Sequence, residues 1–327
     1  MRIKGPSLVT GALGQDGFLL CQRLRDLGAD VVAVVRPGGT HMQRRDVLTR
    51  SGCRLVDLDI VDTAALADLA AQVRPSHIFH LAAVHHASHG PPETPQVWQS
   101  MIAVNLLATE ALARACVTAG IDCSLVYASS SQVWTARRPD QRVDETTPIE
   151  PASFYGQTKA WATDLLRRSR AQHGLRATIA VLFNHESPWR DASFVTRKIT
   201  MAAAQAASGR REVLTLANIG ARVDWQAAAD VVEGLLLMAE NEPPDDYVLA
   251  SGRSHSVRDF LDTAFGHVGL DWKDVVTAKE DKAAPALVGD PSKAVARLNW
   301  RPRGAFDQLV RGMVDADVAR LQDATAE

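Results

Sequence analysis

Cysteine is scarce in this chain of 327 residues: only Cys21, Cys53, Cys116 and Cys123 occur, and none stands in a Cys-x-x-Cys pair. That spacing gives neither a zinc site nor a disulfide framework, and it fits a reducing, cytoplasmic compartment. Charge of one sign is also lacking. With 36 Lys+Arg against 38 Asp+Glu the formal net charge is -2, which leaves no bulk electrostatic case for nucleic acid or a membrane as partner. The longest apolar runs are expected to fall well short of a membrane span. Met1-Arg-Ile-Lys-Gly-Pro6 leads directly into a strand, with no signal-peptide core. Internal repeats and low-complexity tails are missing as well.

What is present begins with a glycine turn. Ser7 to Gly11 reads as a short buried strand, and Gln15 onward as a helix with Leu20, Leu24 and Leu27 on one face. Between them lies Thr10-Gly-Ala-Leu-Gly-Gln-Asp-Gly17. Glycines at 11, 14 and 17 let the backbone turn sharply and let a pyrophosphate approach the amides at a helix N-terminus, so Thr10, Gly11, Gly14, Gln15, Asp16 and Gly17 are expected to hold a dinucleotide. A second strand, Val31 to Val35, ends at Arg36. An acidic residue there would suit NAD; an arginine can pair with a 2'-phosphate, which favours NADP with NAD as the alternative. Asp59, beyond a third strand over 53–57, can meet the adenine end of the cofactor or cap the following helix. A fourth strand over 77–83 brings Leu81, Ala82 and Ala83 close to the cofactor.

His85, His86 and His89 follow. No carboxylate or cysteine nearby completes a ligand set, so no metal is expected and His85 is a candidate substrate contact. After a helix from about 96 to 119, the strand Leu125-Val-Tyr-Ala-Ser-Ser-Ser-Gln132 ends in serines, and Tyr155 precedes Lys159 by four positions on a helix. Residues so spaced share one face, so an ammonium and a phenol can enter one pocket. The cation is expected to lower the phenol pKa, and a hydroxyl from Ser129 or Ser130 can hold a substrate oxygen against it. That set suits moving the proton of a carbinol while its hydride leaves for a cofactor.

Alternating strands and helices up to 183, rejoined by about 226–250, predict an α/β, Rossmann-type doubly wound parallel sheet. A smaller, mostly C-terminal substrate domain is expected over 184–327, with 273–286 as a loop. Thr10 to Gly17, Tyr155 to Lys159, Asn184-His-Glu-Ser-Pro188, Phe194-Val-Thr-Arg-Lys198, Asp224-Trp225 and Leu298-Asn-Trp-Arg-Pro302 are similar to stretches of the extended short-chain dehydrogenase/reductases, above all the GDP-mannose 4,6-dehydratase branch.

The resemblance implies a nicotinamide cofactor, a nucleotide-sugar substrate and a homodimer or homotetramer built on helices near 98–118 and 153–172. It also implies oxidation at sugar carbon 4, loss of water across carbons 5 and 6, and hydride return to carbon 6. Ser130, Tyr155 and Lys159 then take the catalytic positions. The family's eliminating glutamate is here Gln132, an amide that cannot take a proton. Val223 and Ala152 replace arginines, and Trp134 and Thr135 replace a tyrosine and a glycine. His85, Asn184, Glu186, Arg190, Lys198 and Arg222 are the candidate substrate contacts. Three functions follow: a dehydratase; a 4-dehydrogenase, 4-ketoreductase or epimerase that has lost elimination; or a non-catalytic cofactor-binding protein.

Overall fold

The computed structural model describes residues 3–39, 41–85, 94–210 and 212–326; His86 and His89 lie outside them. Strands and helices alternate from the start: β1 (Pro6–Thr10), α1 (Gln15–Asp26), β2 (Asp30–Val35), α2 (Met42–Arg50), β3 (Arg54–Asp57), α3 (Thr63–Val73) and β4 (His77–His80). All four residues of β4, and all but the first of β1 and β2, are buried, as strands covered on both faces must be. Asp62 caps α3 by accepting from Ala65 N at 3.0 Å, while Asp59 accepts from Val61 N at 3.2 Å.

The predicted helix over 96–119 is one rod in three parts: α4 (Pro95–Met101), a π-helical turn over Ile102–Leu107, and α5 (Ala108–Thr118). Within its 24 residues an 18-residue window reaches a mean hydropathy of 1.4, long and apolar enough by length and composition to cross a membrane, against the expectation from the sequence. Half of that window is buried inside the fold, which accounts for its apolarity. There follow β5 (Ser124–Ser130), β6 (Gln141–Val143), α6 (Phe154–His173), β7 (Ala177–Leu182), β8 (Asn184–Glu186), α7 (Val195–Ala207), β9 (Leu214–Asn218), β10 (Arg222–Val223) and β11 (Trp225–Ala227). The chain closes with α8 (Ala228–Ala239), β12 (Asp246–Leu249), β13 (His255–Ser256), α9 (Val257–His267), β14 (Val276–Glu280), β15 (Leu287–Gly289), α10 (Ser292–Leu298) and α11 (Phe306–Ala326).

Seven strands make one parallel sheet in the order β12-β7-β5-β4-β1-β2-β3. The order reverses between β1 and β4, where a doubly wound sheet opens a crevice at the carboxyl ends of its strands. One face is packed by α1 and α8 through Phe18, Leu20, Leu24, Val231 and Leu235, and the other by α3, α5 and α6 through Leu66, Leu112 and Leu166. A third core, from Ile199 to Val314, joins α7, α9 and α11 around Trp225, Phe260 and Phe265. The segment 273–286, expected as a loop, instead carries β14, which pairs in parallel with β9. Two further pairings tie this part to the sheet's rim: β8 with β11, and β6 with β15.

Candidate active site

The glycine turn joins β1 to α1, and its closeness demands glycine at 17, where a Cβ would stand 2.2 Å from Gly11 O. Gly14 is the N-cap of α1 and offers no side chain to the first amides, so those donors face the crevice. Thr10 braces the turn from below. Its hydroxyl lies 2.7 Å from His80 Nδ1 and accepts from Ala82 N at 3.3 Å. Buried among these groups, His80 has its pKa lowered to about 3 by desolvation and stays neutral.

Gln15 and Asp16 face away from the turn, toward β8. Gln15 Nε2 donates to His185 O at 3.0 Å, Ser187 Oγ donates to Gln15 Oε1 at 2.7 Å, and His185 Nε2 meets Asp16 Oδ2 at 2.8 Å. His185 Nδ1 also lies 2.6 Å from Phe183 O. Both ring nitrogens therefore face acceptors, which is the pattern of an imidazolium. Burial pulls the His185 pKa down and Asp16 more than offsets it, so the net direction is up. Burial likewise raises Asp16, but His185 beside it brings the carboxyl below its ordinary value. Glu186 is buried, accepts from Thr196 Oγ1 at 2.7 Å and lies 3.3 Å from Arg190 Nε. Arg44 of α2 completes the join, donating to Leu13 O at 2.7 Å and to Trp189 O. The polar run 184–188 thus clamps the glycine turn to the C-terminal part. Its spacing in the sequence carried no sign of that, and Arg44, inside a helix, gave none.

The reacting groups gather at the ends of β5 and α6. Alternation along β5 sends Ser129 inward, where its hydroxyl lies 3.0 Å from Thr163 Oγ1, and turns Ser130 toward the Tyr155 phenol. Lys159 is buried and donates through Nζ to Ala128 O at 2.8 Å, with Nζ 5.9 Å from the Tyr155 ring centre. The expected lowering of the phenol pKa by lysine is not what this geometry gives. Burial pushes Tyr155 up to about 12, partly offset by the Ser130 hydrogen bond, and burial alone pulls Lys159 down to about 7. Desolvation is the largest influence on both groups.

One cavity collects Ser130, Gln132, Tyr155 and Lys159 with Asp16, Leu81 and Ala83 from the cofactor set and His85, Asn184 and Arg190 from the substrate set; Phe194 joins them. Three predicted substrate contacts lie elsewhere. Glu186 is consumed by Thr196 and Arg190; Lys198 is exposed on α7; Arg222 is held by Asp140 at 3.2 Å and by Ser254 Oγ at 2.9 Å. Arg36 and Asp59 are exposed beyond the ends of β2 and β3. Asn105, missed in the sequence, is fully buried in the π turn. It accepts from Val84 N at 2.9 Å, donates to Val84 O at 3.1 Å and donates to Thr158 Oγ1 at 3.0 Å. A π turn at a functional site was the missing signal, and only backbone geometry reveals it.

This sheet order, glycine turn and serine, tyrosine and lysine grouping define a protein of the extended short-chain dehydrogenase/reductase class. Within it the chain belongs to the GDP-mannose 4,6-dehydratase family, whose sequence model matches residues 8–313. It is 36% identical to GDP-mannose 4,6 dehydratase 1 of Arabidopsis thaliana over 325 residues, covering 95% of this chain and 89% of that one. To the human GDP-mannose 4,6 dehydratase it is 34% identical, covering 97% and 92%. Among solved structures, a dTDP-glucose 4,6-dehydratase from Bacillus anthracis superposes with a TM-score of 0.83 at 16% identity, covering 98% of each chain. A UDP-glucose 4-epimerase from Thermotoga maritima does so with 0.82 at 21%, covering 97% and 99%.

Proposed function

We propose that this protein is an NAD(P)-dependent sugar-nucleotide-modifying enzyme that acts on GDP-mannose or a close analogue through oxidation at sugar carbon 4. The observation that carries this reading is the grouping of Ser130, Tyr155 and Lys159 in one cavity with Asp16 of the glycine turn. The uncapped amides of α1 and the close approach enforced at Gly17 fit a dinucleotide pyrophosphate. When bound, the cofactor supplies the hydride acceptor. Ser130 orients the 4-hydroxyl, Tyr155 reacts as the phenolate and takes the hydroxyl proton to become the phenol, and Lys159 favours that phenolate beforehand and holds the nicotinamide ribose. Arg36, exposed after β2, favours NADP over NAD. Asn184 and Arg190 take the sugar-nucleotide side of the cavity.

A second reading is favoured by one observation, Gln132 at the position of the family's glutamate: the chain then stops at redox chemistry as a 4-dehydrogenase, 4-ketoreductase or epimerase. A non-catalytic role is disfavoured by the intact grouping. The aromatic cluster of Trp98, Phe154 and Trp161 supports a homodimer or homotetramer through α4 and α6: Trp98 and Trp161 are 42% and 43% exposed, and Phe154 lies 5.1 and 6.2 Å from them. Four buried cysteine thiols agree with a cytoplasmic setting. Purified protein given GDP-mannose with NADP or NAD, analysed by product mass, tests the reading. Loss of one water supports the dehydratase; a 4-keto product or an epimer without water loss supports the second reading; unchanged sugar under both cofactors overturns both.

A further inference from the structure

We infer, on the strength of the sugar-nucleotide reading above, that His85 is a second proton-transferring residue of this site, and that Gln132 is the positioning residue that keeps its imidazole neutral with Nε2 as the proton acceptor. Three observations carry this.

The first is placement. Asn105 grips both backbone groups of Val84, the residue before His85, and the same side chain donates to Thr158 on α6. The segment bearing His85 is therefore fixed to the helix that carries Tyr155 and Lys159. The second is packing. The imidazole stands edge-on to the Tyr155 ring, with centres 4.8 Å apart and planes at 79°, and lies 5.8 Å from Phe194. Both rings line one cavity, so His85 and Tyr155 face the same bound molecule.

The third is the state of the ring. Gly156 N donates to Ser153 Oγ at 3.0 Å, and Ser153 Oγ donates to Gln132 Oε1 at 3.1 Å. With its oxygen so engaged, Gln132 turns Nε2 toward His85 Nε2, 3.3 Å away. An amide nitrogen only donates, so His85 Nε2 must be the bare nitrogen of a neutral ring. A glutamate at 132 would pair with the ring as an imidazolium and remove this base; the glutamine preserves it until a substrate displaces the amide.

The chemistry follows from the first step. A carbonyl at carbon 4 acidifies the carbon 5 hydrogen. His85 Nε2 takes that proton as the C5–H bond breaks, and its electron pair forms the C5–C6 double bond while the C6–O bond breaks. The imidazolium then gives the same proton to the departing hydroxyl, which leaves as water, and His85 ends neutral. The elimination needs no oxidant beyond the one that made the carbonyl. A general base so placed typically contributes ~10^2 to 10^4 in rate, the amount an amide at 132 could not supply.

Two measurements test this. In protein labelled with 15N-histidine, the His85 signal, assigned by its loss in His85→Gln, should show a neutral ring bare at Nε2 at neutral pH, and Gln132→Glu should convert it to the doubly protonated form. A doubly protonated or Nε2-protonated His85 in the wild type overturns the inference without any substrate. The second follows GDP-mannose and NADP in deuterium oxide, reading cofactor reduction and carbon 5 deuterium separately. The wild type should lose water with deuterium entering carbon 5. His85→Gln should still reduce the cofactor, which also shows it folded, but lose exchange and water loss by at least ~10^2. His85→Gly should recover part of both when imidazole is added. A His85→Gln protein that eliminates water at the wild-type rate overturns the inference and leaves the sugar-nucleotide reading standing, and so does a wild type that oxidises the sugar without carbon 5 exchange. A wild type that oxidises no sugar overturns that reading and this inference with it.

Discussion

At the residue scale, Lys159 concentrates the tension in the site, because an amine that must hold charge near a phenol is buried where charge is costly. Burial brings its pKa to about 7 from an ordinary 10.5. The unfolded chain therefore binds more protons than the folded one between these values, so the stability contributed here is absent below about pH 7 and grows as pH rises toward 10.5. Lys159→Met should be more stable than the wild type at pH 6, by a few kcal/mol at roughly 1.4 kcal/mol per pKa unit, with the difference shrinking toward pH 10. Urea midpoints across that range measure it; a difference independent of pH would refute the buried-amine account. Arg36 makes a simpler test. Arg36→Ala should raise the Kd for NADP by about ten-fold or more while leaving that for NAD nearly unchanged, the loss of one charge-assisted hydrogen bond to phosphate. Equal effects on both cofactors would remove Arg36 from the 2'-phosphate.

At the element scale, the join between β5 and α6 sets the site's geometry. Gly156, the third residue of α6, leaves so little room that a Cβ would lie 2.1 Å from Gln132 O. Gly156→Ala should push the 131–133 turn off the helix, costing about 1–3 kcal/mol in stability, and should lower turnover more than substrate affinity because it moves Gln132 against Tyr155. Thermal melts and a kcat-against-KM comparison check both parts. The strands and helices of this region were legible in the sequence because apolar runs, glycine and serine punctuation and the four-residue spacing of Tyr155 and Lys159 are local signals. What escaped was relational. Nothing local says that Asn105 grips Val84, that His185 pairs with Asp16, or that Arg222 turns away to Asp140, since each depends on segments brought together only by folding. The sign of the Tyr155 shift escaped for the same reason, burial being a property of the packed site.

At the scale of the whole molecule, a doubly wound parallel sheet was readable from the alternation of elements, while the order of its strands and the place of the crevice came with the structure. The C-terminal part was not readable in the same way: β14 lies in an alanine-rich, charged stretch with no strand periodicity, and it forms by pairing with β9. The exposed aromatic cluster belongs to this scale too. On the proposed dimer or tetramer through α4 and α6, Trp161→Asp should shift the protein toward monomer in sedimentation velocity while each monomer stays folded; an unchanged sedimentation coefficient would refute that interface.

On the proposed function, Tyr155, with Ser130 and Lys159, opens the reaction by taking the proton of the carbon 4 hydroxyl of a nucleotide sugar while its hydride leaves for the cofactor. GDP-mannose deuterated at carbon 4, turned over with NADP and followed by NMR, tests it most directly. The label should leave carbon 4 and, if water is eliminated, reappear at carbon 6, with both events lost in Tyr155→Phe. Product that retains deuterium at carbon 4, or a Tyr155→Phe protein that moves it as fast as the wild type, would contradict the claim.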